Sequence, residues 1–328
     1  MSLAAVVMAH RDAEHVRALV SALEDVPVVL HCDAKAPDEE AGRMVRGWGG
    51  RVRALPRTSA ALDSWSLVRV ELDALRSALR FSAAGHVAVL SGADYPLLGV
   101  QELLEELRAW EGVSYLASVP LPHRPWDTPR NPDGGRWRTA HRFLTRGDDV
   151  LFAGPVPLRL PWRRALPPGL QLRASSQWKV YARADVVRLL AAVDARPDLV
   201  RFWRSTLVPD ESFAASMLSS PALTGAPALA HCHATPWFQR WPAAGSHHPA
   251  ELTEEDLPAL AAARAAPPGL PGRLTSPPAR APRAWFARKL SSARSAALRE
   301  RVDAQLRAAG APLAGAPLAG AQAAPAPR

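Results

Sequence analysis

Short apolar runs alternate with helical patterns along the first part of the chain. Five such runs predict strands, at residues 3–8, 28–30, 51–55, 86–90 and 114–118, the third of them weakly. Between them, apolar residues recur every three or four positions, as at Val68, Leu72, Leu75 and Leu79, and predict helices. This βαβα order predicts an α/β fold with a mainly parallel central sheet and helices on both faces.

The second half of the chain has less periodicity. Residues 119–170 are rich in Pro, Arg and Trp, and an irregular stretch of this length is typical of a substrate loop. Beyond it, residues 177–181 predict a strand, and residues 184–192 and 211–218 predict helices. The Ala/Gly/Pro repeat near the end cannot bury a core. We therefore predict one domain over residues 1–306, divided near residue 118, and a disordered tail over residues 307–328.

The formal net charge of +9 fits a nucleic acid, an anionic surface or a small anionic substrate as partner. Because the Arg residues are scattered and do not form the basic runs of nucleic-acid arms, we predict a mostly solvated basic surface and no nucleic-acid partner. Two cysteines, Cys32 and Cys232, cannot make a disulfide framework and favour a reducing compartment. The N-terminal apolar run is too short for a membrane span and lacks the cationic start of a signal peptide. These features predict a cytoplasmic protein and leave a peripheral membrane contact open.

Candidate site residues lie where strands end, because ligands of open α/β sheets bind beyond the carboxyl ends of the strands. His10, Asp33 and residues 91–96 occupy such positions, although the last segment also fits an ordinary Gly/Asp/Pro turn. Arg288 and Lys289 offer a guanidinium fork and a point charge suited to a diphosphate. A pair of solvated cations is the commoner outcome for such a sequence.

Glu211 opens a helical segment after Val208, Pro209 and Asp210. Pro at the first position and acids in the first turn suit a helix start and its dipole without any further function. Val208, however, has no hydroxyl to complete a capping box with Glu211. The carboxylate of Glu211 is therefore not committed to the helix end and is a candidate for chemistry.

Several common site patterns are absent from the sequence. It has no Asp-x-Asp pair for a divalent cation, and the His and Cys residues at 231–233 and 247–248 lack zinc-site spacing. It also lacks the Gly-rich dinucleotide pattern, the Walker pattern and the Gly-x-Ser-x-Gly elbow of hydrolases. We therefore predict no metal ion and no cofactor.

Seven ordered segments carry a family resemblance: Val-Val-Met-Ala-His at 6–10, His-Cys-Asp-Ala-Lys at 31–35, Ser-Trp-Ser-Leu-Val at 64–68, Leu-Ser-Gly-Ala-Asp-Tyr-Pro-Leu at 90–97, Ser-Ser-Gln-Trp at 175–178, Thr-Leu-Val-Pro-Asp-Glu-Ser-Phe at 206–213 and Phe-Ala-Arg-Lys at 286–289. In this order the chain, over roughly residues 3–291, resembles the core-2/I-branching β-1,6-N-acetylglucosaminyltransferase family, which includes the peptide O-xylosyltransferases. The resemblance implies a GT-A-like nucleotide-sugar fold. It also implies inverting, metal-independent transfer of N-acetylglucosamine or xylose from a UDP-sugar to a hydroxyl of a glycan, peptide or small-molecule acceptor.

The resemblance also assigns roles to residues. Glu211 matches the catalytic base. The positions that match the donor site are Val7, Asp33, Ser64, Trp65, Gln177, Trp178, His248, Arg288 and Lys289. Those that match the acceptor site are Asp94, Arg136, Arg138 and Trp241. Donor binding then belongs to about residues 1–118, and acceptor binding and catalysis to about residues 119–306.

The chain departs from the family pattern at one cation. Some members have an Arg or Lys where this sequence has His248-Pro249-Ala250, so His247, His248 or Arg240 is the candidate replacement. Two other functions stay open: a catalytically inactive relative that binds a UDP-sugar, and a basic protein that binds nucleic acid or an anionic surface.

Overall fold

The computed structural model describes residues 1–242, 246, 248–276 and 278–308. The strands are β1 Leu3–Ala9, β2 Val28–Cys32, β3 Val52–Ala54, β4 His86–Ser91, β5 Asp94–Pro96, β6 Val119–Pro120, β7 His141–Phe143, β8 Thr145–Arg146, β9 Asp149–Val150, β10 Phe152–Ala153, β11 Val156–Pro157, β12 Arg159–Arg163, β13 Arg173–Ala174, β14 Lys179–Ala182, β15 Trp237–Gln239 and β16 Phe286–Arg288. The helices are α1 Ala13–Ala22, α2 Asp38–Val45, α3 Trp65–Phe81, α4 Val100–Glu106, α5 Trp137–Ala140, α6 Arg183–Ala195, α7 Pro197–Arg204, α8 Phe213–Leu218, α9 Pro221–Thr224, α10 Leu257–Arg264 and α11 Ser292–Val302. Short 3₁₀ helices lie at Gly49–Arg51, Leu107–Trp110, Arg124–Trp126, Pro209–Glu211 and Glu254–Asp256, and a π-helical turn at Asp303–Arg307.

A five-stranded sheet in the order β14-β4-β1-β2-β3 forms the centre of the fold. β1 pairs in parallel with β2 and β4, and β2 pairs in parallel with β3, whereas β14 runs antiparallel to β4. Every residue of β1 is buried, as expected for a central strand covered on both faces. The predicted α/β fold with a mainly parallel central sheet is confirmed.

Helices cover both faces of this sheet. α1 and α2 pack on one face, where Val16 and Leu19 join the core formed with β1 and β2. α3, α6 and α8 pack on the other face, and the periodic residues Val68, Leu72 and Leu75 of α3 are all buried there. None of the helices in the described ranges combines the length and the apolar character needed to cross a membrane.

A second sheet brings the last part of the chain to the end of the central one. Its order is β15-β16-β5, with β16 antiparallel to β5 and Arg288 opposite Asp94. β5 begins at Asp94, directly after the turn that follows β4 at Ser91. Residues 194 positions apart in sequence therefore meet at the carboxyl edge of the central sheet.

Two local predictions were wrong. Residues 114–118 do not form a strand, because Tyr115 and Ser118 make only isolated bridges with Val180 and Cys232. Residues 119–170 contain the short strands β6 to β12, and segments of two to five residues are too short to show a periodic pattern.

The predicted tail lies mostly outside the described residues. Arg307 belongs to the π-helical turn Asp303–Arg307 and donates hydrogen bonds to Ala22 and Asp303. Residue 307 is therefore part of the folded domain. Residues 309–328 lie outside the described residues, and their predicted disorder stays a prediction.

Candidate active site

The carboxylate of Asp94 is the centre of a buried hydrogen-bond cluster. Its Oδ2 accepts hydrogen bonds from the backbone NH of Ser91 at 2.9 Å and from the indole Nε1 of Trp237 at 3.1 Å. Its Oδ1 accepts from the Ser91 hydroxyl at 3.2 Å and from Arg288 Nη1 at 2.9 Å. With 0% exposure and these partners, Asp94 orients Arg288 from behind the site. The predicted contact of Asp94 with the acceptor stays a prediction.

Arg288 is fixed on a second side by Trp178. The guanidinium carbon lies 4.3 Å from the centroid of the Trp178 ring, in the arrangement of a cation–π contact. The guanidinium also donates to Ser91 Oγ. Two residues that the sequence analysis assigned to the donor site, Trp178 and Arg288, are therefore in contact.

Lys289 is a half-buried cation without a protein anion. Its ammonium makes no hydrogen bond or ion pair with another residue in the described part of the chain. Burial lowers the pKa of Lys289 to about 8, and the positive charges of Arg288 and Arg11 contribute to the lowering. An anion bound at this point would relieve that electrostatic cost, which makes Lys289 suited to a phosphate group.

The ends of β1 and β2 lie beside these cations. Loss of hydration, followed by the charge of Arg11, lowers the pKa of His10, the residue after β1. The carboxylate of Asp33, after β2, opposes this lowering, while Arg288 and Lys289 add to it. These effects require proximity, so the structure brings His10 and Asp33 to the cation pair.

Asp33 itself is held rigidly by backbone amides. Its Oδ1 accepts a hydrogen bond from the NH of Lys35 at 2.7 Å, and its Oδ2 accepts one from the NH of Ala60 at 3.0 Å. The residue is 5% exposed. The end of β2 is thereby tied to the segment that leads into α3.

Three predicted donor residues support the site from its interior. Ser64 Oγ accepts a hydrogen bond from the NH of Val150 at 3.0 Å. Trp65 packs edge-to-face against Phe213 with 5.0 Å between ring centroids. Val7 lies in the middle of β1, enclosed by the hydrophobic core, and this placement does not favour a direct donor contact by its side chain. Direct donor contacts by Ser64 and Trp65 stay predictions.

Glu211 is the last residue of the 3₁₀ helix Pro209–Glu211, and α8 begins only at Phe213. The α-helix predicted over 211–218 therefore starts two residues later than expected. Its Oε2 accepts a hydrogen bond from Arg138 Nη1 at 2.7 Å. The Arg138 guanidinium also lies over the Trp126 ring, 3.9 Å from its centroid. The side chain of Glu211 is 29% exposed and that of Arg138 is 11% exposed. The predicted base therefore reaches solvent while its cationic partner is fixed.

One segment joins Glu211 to the cation pair. The NH of Ser175 donates to the carbonyl of Glu211 at 2.7 Å. Three residues later, Trp178 lies against Arg288. Gln177, between them, is half-buried, and its amide forms no hydrogen bond with another residue in the described ranges. Residues 175–178, here called the wall, therefore link the backbone of Glu211 to the ring that lies against Arg288.

Two turns with left-handed backbone lie behind this wall. Val208 has a φ of 51° and Asp63 a φ of 62°, and a β-branched residue in this region is strained. The NH of Val208 donates to the carbonyl of Asp63 at 3.0 Å, so each turn supports the other. Val208 provides no side-chain cap, as its sequence position predicts. Backbone strain of this kind clusters at functional sites.

Asp210 is a second carboxyl beside Glu211. It is 8% exposed, and its Oδ1 has no hydrogen-bond partner. Burial, then the charges of Glu211 and Asp63, raise the pKa of Asp210 to about 7, while Lys179 opposes the shift. Lys179 gives little compensation, because it is buried in a bidentate pair with Glu71 at 3.0 Å to both oxygens. Asp210 is therefore protonated over a pH range in which most Asp side chains are charged.

The remaining predicted residues lie at the margin of the arrangement: Arg136 and His248, which are exposed, and Trp241, which is half-buried. Arg240 pairs with both carboxylate oxygens of Asp256 at 2.6 and 3.1 Å, so its guanidinium is already committed. This pairing disfavours Arg240 as the second diphosphate cation. His247 lies outside the described residues.

The described residues contain no group of three or more His, Cys, Asp or Glu side chains placed to hold a metal ion. In the part of the His/Cys cluster that is described, Cys232 is buried and its Sγ lies 3.3 Å from the carbonyl of Ala234. Metal-independent chemistry stays a prediction.

Trp237, Arg11 and Asp210 belong to the site but were not assigned to it from sequence. Trp237 reaches Asp94 across 143 residues of sequence, and no local motif marks that contact. Arg11 directly follows His10, so the end of β1 is the feature that could have drawn attention to it. Asp210 stood inside a recognised motif, but its burial depends on α3 and β14, which are distant in sequence.

The profile of the family described as Branch, core-2/I-branching enzyme, matches residues 4–261 of the chain. The chain belongs to the core-2/I-branching enzyme family. The protein is thus a glycosyltransferase, which confirms the predicted enzyme class. The match includes Glu211 and Trp178 but ends before Arg288 and Lys289, which therefore rest on the geometry alone. No curated protein sequence matches this core-2/I-branching chain at a significant level.

Similar solved structures include two of S. aureus TarS 1–349, one of them in complex with UDP-GlcNAc. They are 13% and 12% identical to this core-2/I-branching protein, with a TM-score of 0.29 each, and cover 63% of it and 55% and 53% of the TarS chains. A Bacillus anthracis protein assigned as a glucose-1-phosphate thymidylyltransferase, in complex with a sucrose, is 8% identical, with a TM-score of 0.28 over 57% of this chain and 74% of its own. The chain thus spans about half the length of the TarS chains, and likeness at this level says nothing about its substrate.

Asp210→Asn should raise the melting temperature by a few degrees at pH 8 and by much less at pH 5. The pKa of Asp210 is raised from 3.8 to about 7 in the folded protein. The folded state therefore binds this proton more tightly, and the resulting stability is present below pH 4 and lost as the pH rises through 7. Thermal unfolding at both pH values measures the effect. Asp194→Asn, which changes an exposed acid of α6, should show no such pH dependence. An equal shift at both pH values for Asp210→Asn would contradict the assignment.

Proposed function

We propose that this protein transfers a sugar from a UDP-sugar to an acceptor hydroxyl with inversion and without a divalent metal ion, Glu211 acting as the base. One observation carries the proposal: residues 175–178 connect the backbone of Glu211, through the NH of Ser175, to Arg288, through the Trp178 ring, and Lys289 directly follows Arg288. The family resemblance implies N-acetylglucosamine or xylose as the sugar.

The chemistry follows from a single in-line displacement. The acceptor oxygen forms a bond to the anomeric carbon while the bond from that carbon to the UDP oxygen breaks. Glu211 takes the proton of the acceptor hydroxyl, and its partial exposure gives that proton a route to solvent. The ion pair with Arg138 at 2.7 Å orients the carboxylate.

The cation pair would stabilise the leaving group. Negative charge grows on the diphosphate as the bond breaks, and Arg288 and Lys289 supply positive charge at that point. A well-placed donor of this kind contributes about 3 kcal/mol to transition-state stability. Arg288 is already oriented by Asp94 and Trp178, so it needs little reorganisation to act. This protein-derived charge supports independence from a metal ion.

The acceptor would lie on the Glu211 side of the wall. Arg138 borders Glu211 there with the buried Trp126 ring behind it, and Arg136 and Trp241 are accessible at the margin. A flat ring and a guanidinium suit the faces and hydroxyls of a sugar ring as well as a peptide or a small molecule. The geometry therefore supports an acceptor hydroxyl without naming its carrier.

Glu211→Gln should lower kcat at least about 100-fold, because general-base catalysis contributes at least that factor, while the Kd for UDP changes less than about twofold. Turnover of a UDP-sugar and UDP titration calorimetry measure the two effects. Glu105→Gln, at an exposed acid of α4, is the matched control and should keep full activity. Loss of both turnover and UDP binding would assign Glu211 to folding or donor binding. Saturable UDP binding without any turnover by the wild-type protein would identify an inactive relative.

A panel of nucleotide sugars in a thermal-shift assay should show stabilisation by one UDP-sugar, of equal size with and without EDTA. A ligand that binds only the folded state raises the unfolding temperature by mass action, at about 2.7 kcal/mol when its concentration is 100 times Kd. The result would identify the donor sugar. Loss of the shift in EDTA would overturn the metal-free part of the proposal.

UDP binding should weaken above pH 8, because the free protein loses the Lys289 charge as the pH passes its pKa of about 8. Below pH 8 the lysine is charged and Kd should be constant. Above it, Kd should rise towards about tenfold per pH unit. Lys289→Arg keeps its charge and should show a flat dependence from pH 7 to pH 9, whereas Lys289→Ala should bind weakly throughout. The same pH dependence in Lys289→Arg would remove Lys289 from the site.

A further inference from the structure

Residues 141–163, here called the hairpin surface, expose several large apolar side chains to solvent. Trp162 is 63% exposed, Val156 49% and Phe152 42%, and Leu144 and Leu151 are exposed as well. Single exposed apolar residues are ordinary, but a group of them within one short segment marks an interaction surface.

The backbone pairing brings these side chains together. The NH of Leu144 donates to Leu158 at 2.9 Å, that of Leu151 to Leu144 at 2.9 Å, and that of Leu158 to Leu151 at 2.8 Å. These three hydrogen bonds close a ring among three short segments, and β10 and β11 form a hairpin with Gly154 and Pro155 at its tip. Residues 151–156 are all exposed, and none of them belongs to a core cluster.

The same surface carries uncompensated positive charge. Its exposed arginines are Arg142, Arg146, Arg159 and Arg163, and none of them forms an ion pair with another residue in the described part of the chain. Of the two acids in this segment, Asp148 already pairs with Arg69 and Arg204, and Asp149 is half-buried, so the four arginines outnumber the acids. The charge is therefore available to an external anion.

The hairpin surface is rooted beside the acceptor side of the site. Phe143 and Val150 form a small buried cluster with Leu207, which precedes the turn that carries Glu211. The NH of Leu207 also donates to the carbonyl of Arg138 at 3.1 Å. Whatever binds this surface is held next to Glu211.

We propose that the hairpin surface docks the protein on an anionic phospholipid membrane. Trp and aliphatic side chains partition into the interfacial region of a bilayer, and arginines pair with headgroup phosphates at the same depth. The combination of both in one exposed segment fits a surface that is anionic outside and apolar below. Docking would present Glu211 to an acceptor at the membrane, and this last step rests on the proposed function.

A nucleic acid fits the same residues less well. Single strands are bound by flat rings on which bases stack along a basic groove. Leu144, Leu151 and Val156 have no stacking face, and a nucleic-acid strand would leave these exposed apolar side chains unburied. A lipid bilayer would contact both these apolar side chains and the arginines.

Co-sedimentation of the full chain with vesicles tests the proposal. The protein should bind vesicles of equal parts phosphatidylglycerol and phosphatidylcholine, with affinity that falls as salt rises, and should not bind phosphatidylcholine alone. Phe152→Ser with Trp162→Ser should weaken binding at least about tenfold. Arg159→Gln with Arg163→Gln should weaken it about fivefold for each charge removed.

The matched control is Val187→Ser with Arg80→Gln, which removes an exposed apolar residue of α6 and an exposed arginine of α3. This variant should bind the anionic vesicles as the wild type does. An equal loss in the control, or no binding of anionic vesicles by the wild type, would overturn the proposal. Salt-dependent binding of RNA that is lost in the hairpin variants, without vesicle binding, would assign the surface to nucleic acid. Vesicle binding requires no transferase activity, so its outcome is independent of the proposed reaction.

Discussion

The buried carboxylate of Asp94 is the point at which the two sheets of this protein are joined. It accepts hydrogen bonds from Ser91 at the end of β4, from Trp237 on β15 and from Arg288 on β16. A carboxylate with no exposure is costly unless it is fully paired, and removal of one partner leaves an uncompensated charge. Folding of the last part of the chain is therefore coupled to the position of Arg288. The proposed diphosphate cation is oriented by the interaction that closes the fold.

Around Glu211, by contrast, several backbone and side-chain conformations cost stability. Val208 and Asp63 both adopt left-handed backbone, and Asp210 is buried with an unpaired carboxyl oxygen. Each of these features costs stability, and each is supported by the neighbours that create it. Proteins retain such destabilising features mainly where function requires them. The sequence alone explains Glu211 as an ordinary helix start, and these costly surroundings support the role proposed for it.

Sequence reasoning recovered what repeats locally and missed what depends on distant contacts. Apolar runs and periodicity predict the strand β1 and the helix α3. The family motifs assign Glu211, Trp178 and Arg288 to one site from the sequence alone. Tyr115 and Ser118 look like strand residues, yet they pair with β14 and Cys232 only at single bridges. Burial of Asp210 and the Trp237 bond to Asp94 arise from tertiary packing, which leaves no local pattern. The short strands of residues 141–163 were missed because segments of two to five residues show no periodic pattern.

Those short strands also pack against the residue that precedes the turn carrying Glu211. Strands of two to five residues cannot form a core of their own and depend on packing against larger elements. Here they depend on Phe143 and Val150, which pack on Leu207 one residue before the strained Val208. A change in the hairpin surface that moves Phe143 or Val150 would therefore also move the turn that positions Glu211. The hairpin surface and the turn that carries Glu211 therefore share one packing cluster, while Asp94 fixes Arg288 through a separate set of contacts.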